Sequence, residues 1–179
     1  MLGGFYIDGD VYLVLDFMDG GTIMECVNTR GAVPEPIVAE IAVLLLPALS
    51  YIHKELHVVH RDIKPANILL NSRGEVKMSD FGVSGKLQNT VGIATTFAGT
   101  VTYMSPERIK GGDHSVTSDI WSFGLTLLEC ALGRFPFLHP TEDKSNIQFW
   151  ELLDRIEKQP VFLPQEGYSD EFRAFINRW

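Results

Sequence analysis

Four polar residues near the middle of the sequence have the types and the spacing of a site that handles phosphate. Asp62, Lys64 and Asn67 lie in the stretch "VVHRDIKPANILL", residues 58–70, and Asp80 follows shortly after it. The spacing i, i+2, i+5 does not fall on one face of a helix, so we expect a loop whose side chains converge. Carboxylate and amide oxygens suit Mg²⁺, and an ammonium group suits a phosphate. The remaining carboxylate is free to accept a hydroxyl proton, and together these parts predict phosphoryl transfer.

This interpretation gives each residue a role: Asp62 is the base, Asn67 and Asp80 bind the metal, and Lys64 faces a phosphate. Each residue alone has a plainer explanation, because a single Asp or Lys in a loop is usually a solvated surface charge. The combination is more specific, since H-R-D-x-K-x-x-N is followed in order by D-F-G and S-P-E. The joint pattern therefore favours a catalytic site over four unrelated surface residues.

The flanking sequence predicts the elements that position these residues. Two β-rich runs, Phe5–Ile7 and Val11–Phe17, surround an Asp-Gly-Asp turn signal and indicate a hairpin. From Pro34 onward, apolar residues recur at helical spacing, and Pro47 is expected to kink this helix. The predicted core face of the helix consists of Ile37, Ile41, Leu44, Leu45, Leu49 and Ile52.

The second half of the chain is predicted to be mostly helical. "VTSDIWSFGLTLLECALG" is apolar on most sides and indicates a buried helix, and Ser169 is expected to cap a last helix. Residues 83–104 lack periodicity, which is typical of a functional loop. The fold class is therefore α+β, a mostly helical body with a small β-hairpin. An amphipathic helix in "IQFWELLDRIEKQ" is predicted to bury Phe149, Trp150, Leu153 and Ile156.

Composition excludes several other classes of protein. The formal net charge of -8 argues against a non-specific nucleic-acid binder. Cys26 and Cys130 have no CxxC partner, so we expect two buried, reduced thiols and no zinc site. The longest apolar run, residues 41–49, is shorter than the roughly 20 residues of a membrane span. We therefore expect a soluble cytoplasmic protein with no nucleic-acid or membrane partner.

Taken in order, the motifs resemble those of the protein kinase family over residues 5–179. "HRDIKPANILL" is similar to the catalytic loop, "DFG" to the metal-binding motif, "SPE" to Ala-Pro-Glu and "SDIWSFG" to the buried central helix. The resemblance implies a protein-kinase-like fold, ATP and Mg²⁺, with Asp62 as base and with Lys64, a serine/threonine-type choice, and Asn67 beside it. Asp119 is then expected to bond the backbone of the catalytic loop. The implied supporting residues are His60, Arg61, Phe81, Gly82, Thr100, Glu107 and Asp119.

Three further stretches, "DFGVSG", "GTVTYMSPERI" and "FMDGGTI", are each similar to the mitogen-activated protein kinase kinases. That resemblance implies dual specificity, a downstream MAP kinase as substrate and an upstream kinase that acts on the activation loop. It implies that Leu15 is the gatekeeper, that Asp16 to Met18 form the hinge beside adenine, and that Leu69 lies under the base. The ATP-binding set is then Leu15, Asp16, Met18, Lys64, Leu69 and Asp80, and Thr100 is expected to bond Asp62 and Lys64.

The same resemblance suggests how activity is regulated. Thr90 and Thr96 have the spacing of activation-loop phosphorylation sites in plant and protist kinase kinases, and Thr95 competes with Thr96 for the second position. A phosphate at Thr96 is expected to bind Arg61 and order the loop. The alternative is that these threonines are only solvated loop residues.

The sequence also departs from the family pattern. It contains no G-x-G-x-x-G-x-V loop and no V-A-I-K lysine. We therefore expect a partial kinase domain, with residues 1–17 as an N-lobe hairpin remnant and hinge start, and 18–179 as a C-lobe that stops before its final helices. Glu107 is then expected to be a buried charge without its partner. An alternative function is a catalytically incompetent lobe that acts as a binding module, whereas a P-loop NTPase is excluded because G-x-x-x-x-G-K-[ST] is missing.

Overall fold

The computed structural model describes residues 2–80, 101–139, 141–142, 147, 149–159, 163 and 167–178. Helices make up most of the described regular structure, and four short strands form two separate two-stranded sheets, which confirms the α+β prediction. The strands are β1 (Gly3–Ile7), β2 (Asp10–Val14), β3 (Ile68–Leu70) and β4 (Val76–Met78). The helices are α1 (Ile23–Arg30), α2 (Glu35–Lys54), α3 (Pro106–Ile109), α4 (Val116–Leu132), α5 (Phe149–Lys158) and α6 (Asp170–Ile176), with 3₁₀ turns at Pro65–Asn67 and Val101–Tyr103.

Strands β1 and β2 form the predicted antiparallel hairpin. Its two-residue turn places Asp8 at φ 53° and Gly9 at φ 95°. Positive φ at both central positions matches the twist of the flanking strands, and an Asp-Gly pair adopts it at little cost. The register pairs Ile7 with Asp10 beside the turn. Almost every side chain of the hairpin is exposed, so the hairpin adds little to the core.

The main core lies between α1, α2 and α4, and α6 packs against it. The structure buries much of the predicted face of α2, but Ile37 and Leu44 are 48% and 45% exposed. A helix packed against one partner buries a stripe only about 100° wide, and these two residues lie outside the stripe. The side chains that α2 buries are Val38, Ile41, Leu45, Leu49 and Ile52.

Helix α2 is also longer than the apolar run of residues 41–49. It has 20 residues with a mean hydropathy of 1.7 and continues through Pro47, so its length and composition would allow it to cross a membrane. A single helix of this kind is weak evidence for a membrane span, because the core helix of a globular domain meets the same conditions. Here Leu45 and Leu49, each 1% exposed, belong to the core.

Helix α4 is the predicted buried helix. It begins after Ser115, whose Oγ accepts the N–H of Ser118 at 3.2 Å, and all its residues from Phe123 to Ala131 are buried. A second apolar cluster packs against its other side, and α5 contributes to that cluster. Trp150 was predicted to face the core but is 78% exposed, since Leu152 takes that position. The cluster contains Tyr103, Leu125, Phe135, Phe137, Leu138, Leu152 and Ile156.

The capping prediction for the last helix is confirmed. Ser169 Oγ accepts the backbone N–H of Phe172 at 3.1 Å. The Ser169 backbone N–H also donates to Glu35 at the start of α2 at 2.8 Å. The cap therefore fixes α6 to α2 as well as starting α6.

Candidate active site

One buried carboxylate holds the backbone of the site loop, defined here as residues 60–67. Asp119, 1% exposed, lies in the first turn of α4. Its Oδ2 accepts the N–H of His60 at 2.7 Å, and its Oδ1 accepts the N–H of Arg61 at 2.9 Å. His53 Nε2 of α2 lies 2.8 Å from the same Oδ2. Arg61 has φ 73°, a left-handed conformation that non-glycine residues seldom adopt, so these bonds stabilise a strained backbone.

Three predicted site residues meet at the carboxylate of Asp62. Lys64 Nζ donates to its Oδ1 at 3.0 Å and to its Oδ2 at 2.8 Å. Asn67 Nδ2 donates both to the backbone oxygen and to Oδ2 of Asp62, each at 2.8 Å. The side chains of Asp62 and Lys64 are 21% and 19% exposed. The carboxylate is therefore oriented by two donors and remains accessible from solvent.

Pairing of β3 with β4 brings Asp80 to the end of the site loop. The N–H of Ser79 donates to the carbonyl of Asn67 at 2.9 Å, and Asp80 is the next residue. Asp80 is exposed, has φ 57° and accepts a weak hydrogen bond from Ser79 Oγ at 3.4 Å. Asp80 and Asn67, far apart in the motif, are thus neighbours through the sheet.

Asn67 and Asp80 suit a magnesium ion. Because Asn67 directs its amide nitrogen to Asp62, its Oδ1 has no donor among the described residues. Asp80 likewise has no cationic partner among the residues that the structure describes. Mg²⁺ usually takes one or two carboxylates and completes its shell with water and phosphate oxygens. Clusters of three or more His, Cys, Asp or Glu side chains able to hold a metal do not occur among the described residues.

Residues 15–22, which we name the linker, connect β2 to α1 and lie along β3. The Gly20 N–H donates to Leu70 at 3.0 Å, and the Leu70 N–H donates to Gly21 at 2.9 Å. Thr22 then forms a β-bridge with Leu69. A Cβ at Gly20 would lie 2.9 Å from the backbone oxygen of Leu70, so only glycine permits this approach. The structure therefore places the linker directly beside Leu69.

The predicted linker residues have different environments. Asp16 Oδ2 lies 2.6 Å from Lys77 Nζ on β4, and this hydrogen bond lowers the pKa of Asp16 below its usual value. Met18 is half-buried, whereas Leu15 is 58% exposed. The ion pair thus fixes the linker to the second sheet at one more point.

His60 connects the site loop to the core. It is 1% exposed, and its Nδ1 lies 3.4 Å from the backbone nitrogen of Asp62. Burial lowers the pKa of His60, so the ring is neutral near pH 7. A neutral ring fits a site where Asp119 already accepts hydrogen bonds from two backbone N–H groups.

Two expectations about burial were wrong. Glu107 is exposed, because α3 is a single short turn at the surface, and its Oε1 accepts a hydrogen bond from Ser118 Oγ at 3.3 Å. It is therefore not a buried unpaired charge. Both thiols are free, as expected, but only Cys130 is buried and Cys26 on α1 is half-buried.

Several predicted residues lie outside the residues that the structure describes. They are Phe81, Gly82, Thr90, Thr95, Thr96 and Thr100.

Two polar contacts of the site were not predicted. His53 follows Ile52 on the side of α2 that faces the core, and a polar ring at such a position signals a buried partner, here Asp119. Lys77 alternates with apolar neighbours on β4, which places it on the opposite face from them. That face meets Asp16, a contact that the sequence alone did not indicate.

Comparison with known proteins places this geometry in a family. All of residues 1–179 match the family model of the protein kinase domain. The chain is 47% identical over 175 residues to mitogen-activated protein kinase kinase 1 of Arabidopsis thaliana, covering 97% of this chain and 49% of that protein. It is 44% identical over 174 residues to mitogen-activated protein kinase kinase 2 of the same plant, covering 97% and 48%.

A third relative comes from Dictyostelium discoideum. Its dual specificity mitogen-activated protein kinase kinase 1 is 52% identical over 133 residues, covering 74% of this chain and 20% of that protein. The chain spans about half the length of the plant relatives that it matches. Since the family model covers the whole chain, the chain belongs to the protein kinase family.

Proposed function

We propose that this chain carries the catalytic loop of a mitogen-activated protein kinase kinase, which transfers the γ-phosphate of ATP to a downstream MAP kinase. The observation that carries the proposal is the convergence of Lys64 and Asn67 on the carboxylate of Asp62. The names of the relatives support the kinase-kinase class. The name of the Dictyostelium relative supports dual specificity, which means transfer to both Ser/Thr and Tyr hydroxyls.

Asp62 is the proposed base. Its carboxylate accepts the proton of the acceptor hydroxyl while that oxygen bonds to the γ-phosphorus and the bond to the bridging oxygen of ADP breaks. Asn67 Nδ2, 2.8 Å away, fixes the orientation of the carboxylate. The ammonium group of Lys64 offsets negative charge where the phosphate must approach.

Asn67 Oδ1 and the Asp80 carboxylate are the proposed ligands of Mg²⁺. The bound ion supplies positive charge that neutralises the phosphate oxygens. The adenine end of ATP is assigned to Leu15, Asp16, Met18 and Leu69, and the support for this is the attachment of the linker to β3. At the phosphate end, Lys64 and Asp80 complete the ATP-binding set.

Regulation is proposed to act through phosphorylation of Thr90 and Thr96 by an upstream kinase. A dianionic phosphate makes strong charge-assisted bonds to arginine. Arg61 supports the proposal, because it is exposed beside the catalytic base and forms no ion pair among the described residues. Replacing both threonines with alanine is expected to abolish activation, which phosphorylation mapping and kinase assays would measure.

The test of the catalytic roles compares two substitutions in the full-length kinase. Asp62→Asn is expected to lower the transfer rate about 10²–10⁴-fold and leave ATP binding nearly unchanged. Asp80→Asn is expected to weaken ATP binding as well, because it removes a metal ligand. Asp154→Asn, which breaks a surface pair with Lys158, serves as the control and should change neither. Equal losses of ATP affinity in the two site variants would contradict the assignment.

A second candidate function is a non-catalytic binding module. The 179 residues contain neither the G-x-G-x-x-G-x-V nor the V-A-I-K motif. In kinases these motifs contact the phosphates of ATP. The 179-residue chain alone is then expected to bind Mg²⁺-ATP weakly in calorimetry and to transfer no phosphate. Tight binding with turnover would instead favour the enzyme.

A further inference from the structure

Helix α2 carries a second apolar face, opposite to the one that packs into the core. A surface helix of a globular domain usually has polar residues on the side that faces solvent. On α2 that side is mostly apolar, and Val43 and Tyr51 are 68% and 56% exposed. We name this side the outer face of α2. Its exposed apolar residues are Ile37, Ala39, Val43, Leu44, Leu46, Pro47, Ala48 and Tyr51.

The size of the outer face indicates a contact site. Helix α2 has 20 residues, so it is about 30 Å long, and the exposed strip of a helix is about 10 Å wide. The outer face therefore covers about 300 Å² in outline, which is as large as the apolar patches that proteins use for contacts. Between Ile37 and Tyr51 the only charged residue in the sequence is Glu40.

Two exposed charges lie at the ends of the apolar part of this face. Glu40 and Lys54 are nearly four whole helical turns apart, so both point to the same side of α2. They are also equally far from Pro47 in the sequence. Neither of them forms an ion pair with another residue that the structure describes. The outer face therefore has a carboxylate near one end and an ammonium group near the other.

These charges favour a second copy of the chain over a lipid bilayer as the occupant of the outer face. A bilayer offers no partner to Glu40, and a carboxylate within hydrocarbon costs free energy. A face with opposite charges at its two ends is complementary to itself when a second copy lies antiparallel to it. Each carboxylate then meets an ammonium group, and the apolar residues between them meet each other.

We propose that the outer face of α2 binds the outer face of a second copy of this chain. The two helices lie antiparallel about a twofold axis that passes near Pro47. Leu44 of each copy packs among the apolar residues of the other, and Glu40 of each copy pairs with Lys54 of the other. Stable dimers bury about 800 Å² on each partner, so a face of about 300 Å² predicts a weak dimer with a Kd on the order of 100 μM.

The experiment measures the mass of the 179-residue chain by analytical ultracentrifugation at concentrations from about 5 to 500 μM, a range that spans the expected Kd. The average mass is expected to rise from that of a monomer toward that of a dimer. Val43→Glu should weaken the dimer about tenfold or more, because it places a carboxylate inside the apolar contact. Val11→Glu is the matched control, since Val11 is 72% exposed on β2 and lies outside the outer face, and it should leave the Kd unchanged.

Charge reversal tests the antiparallel arrangement. Glu40→Lys and Lys54→Glu each replace two attractive contacts with repulsive ones, so each variant alone should dimerise about fivefold to tenfold more weakly. An equimolar mixture of the two variants should restore association, because each copy then presents the charges that the other lacks. The double variant Glu40→Lys/Lys54→Glu should dimerise like the wild type. Circular dichroism checks that every variant is folded.

Several results would overturn the proposal. A chain that stays monomeric at about 500 μM, or one whose dimer only Val11→Glu weakens, has no contact through the outer face. Flotation with neutral phosphatidylcholine vesicles that Val43→Glu abolishes would identify a bilayer as the occupant. A full-length kinase that stays monomeric over the same range would mean that another part of the same protein covers the face. All these readouts are independent of phosphate transfer, so the dimer and the proposed function can fail separately.

Discussion

Replacing Asp119 with alanine should destabilise the protein more than any other single loss of a carboxylate near the site. The substitution removes the acceptor of two backbone N–H groups and of the His53 ring. Each buried donor left unpaired costs about 1–2 kcal/mol, for a gross loss of about 3–6 kcal/mol. Arg61 is then free to leave φ 73°, which returns about 1–2 kcal/mol. The net loss is about 1–5 kcal/mol.

That loss is measurable by urea and thermal unfolding followed by circular dichroism. In a domain of this size it should lower Tm by about 2–20 °C. Asp119→Asn, which keeps one acceptor oxygen, should lose about half as much. Asp154→Ala, which breaks only the exposed pair with Lys158, should change stability by less than about 1 kcal/mol. Equal effects of Asp119→Ala and Asp154→Ala would refute the view that Asp119 holds the loop.

Three further predictions concern single positions. Gly20→Ala should lower the free energy of unfolding in urea by about 1–3 kcal/mol, because its Cβ would lie 2.9 Å from a backbone oxygen of β3. Gly3→Ala, where a Cβ meets open space, is the control and should change it very little. Burial lowers the pKa of His60, so at falling pH the ring takes up a proton in the unfolded chain before it does so in the folded chain. The free energy of unfolding should therefore fall as the pH drops below about 6.5, and unchanged stability would contradict this. Tyr103→Phe removes the hydroxyl that donates to buried Glu129 at 2.5 Å and should cost about 1–3 kcal/mol in thermal unfolding.

Elements with local signals were predictable from the sequence. The Asp-Gly turn fixed the hairpin, and the all-round apolar pattern of α4 marked it as buried, because both depend on neighbours in sequence. Helix α1 was overlooked although its signal was present. Thr22 and Glu25 form a capping box, in which Thr22 Oγ1 accepts the Glu25 N–H at 3.1 Å and Glu25 accepts the Thr22 N–H at 2.7 Å.

Details that depend on tertiary packing were not predictable. Periodicity placed Trp150 and Leu44 on core faces, yet both are exposed because the neighbouring elements cover a different stripe. The exposure of Glu107 follows from the position of α3 at the surface, which no local pattern encodes.

The candidate site likewise has features that the sequence predicts and contacts that it does not. Motif order predicted that Asp62, Asn67 and Asp80 belong to one site, since the chemistry restricts which residue types can follow one another at that spacing. The contact of His53 with Asp119 joins residues 66 positions apart, so the local sequence can signal a buried partner for His53 but cannot identify it. The linker contact to Lys77 spans 61 positions and was missed for the same reason.

Two residues with left-handed backbone explain why the groups proposed to react depend on distant packing. Arg61, with φ 73°, directly precedes the proposed base Asp62. Asp80, with φ 57°, is itself a proposed metal ligand. Left-handed backbone at non-glycine residues persists only where surrounding bonds enforce it. For Arg61, the hydrogen bond is the one from its backbone N–H to Asp119 on α4. For Asp80, the bond lies at the preceding residue, where the Ser79 N–H donates to the Asn67 carbonyl and extends the three-residue pairing of β3 with β4. If the proposed function is right, changes in the core beneath α4 should therefore lower the transfer rate by moving the site loop, even where no side chain proposed to react is altered.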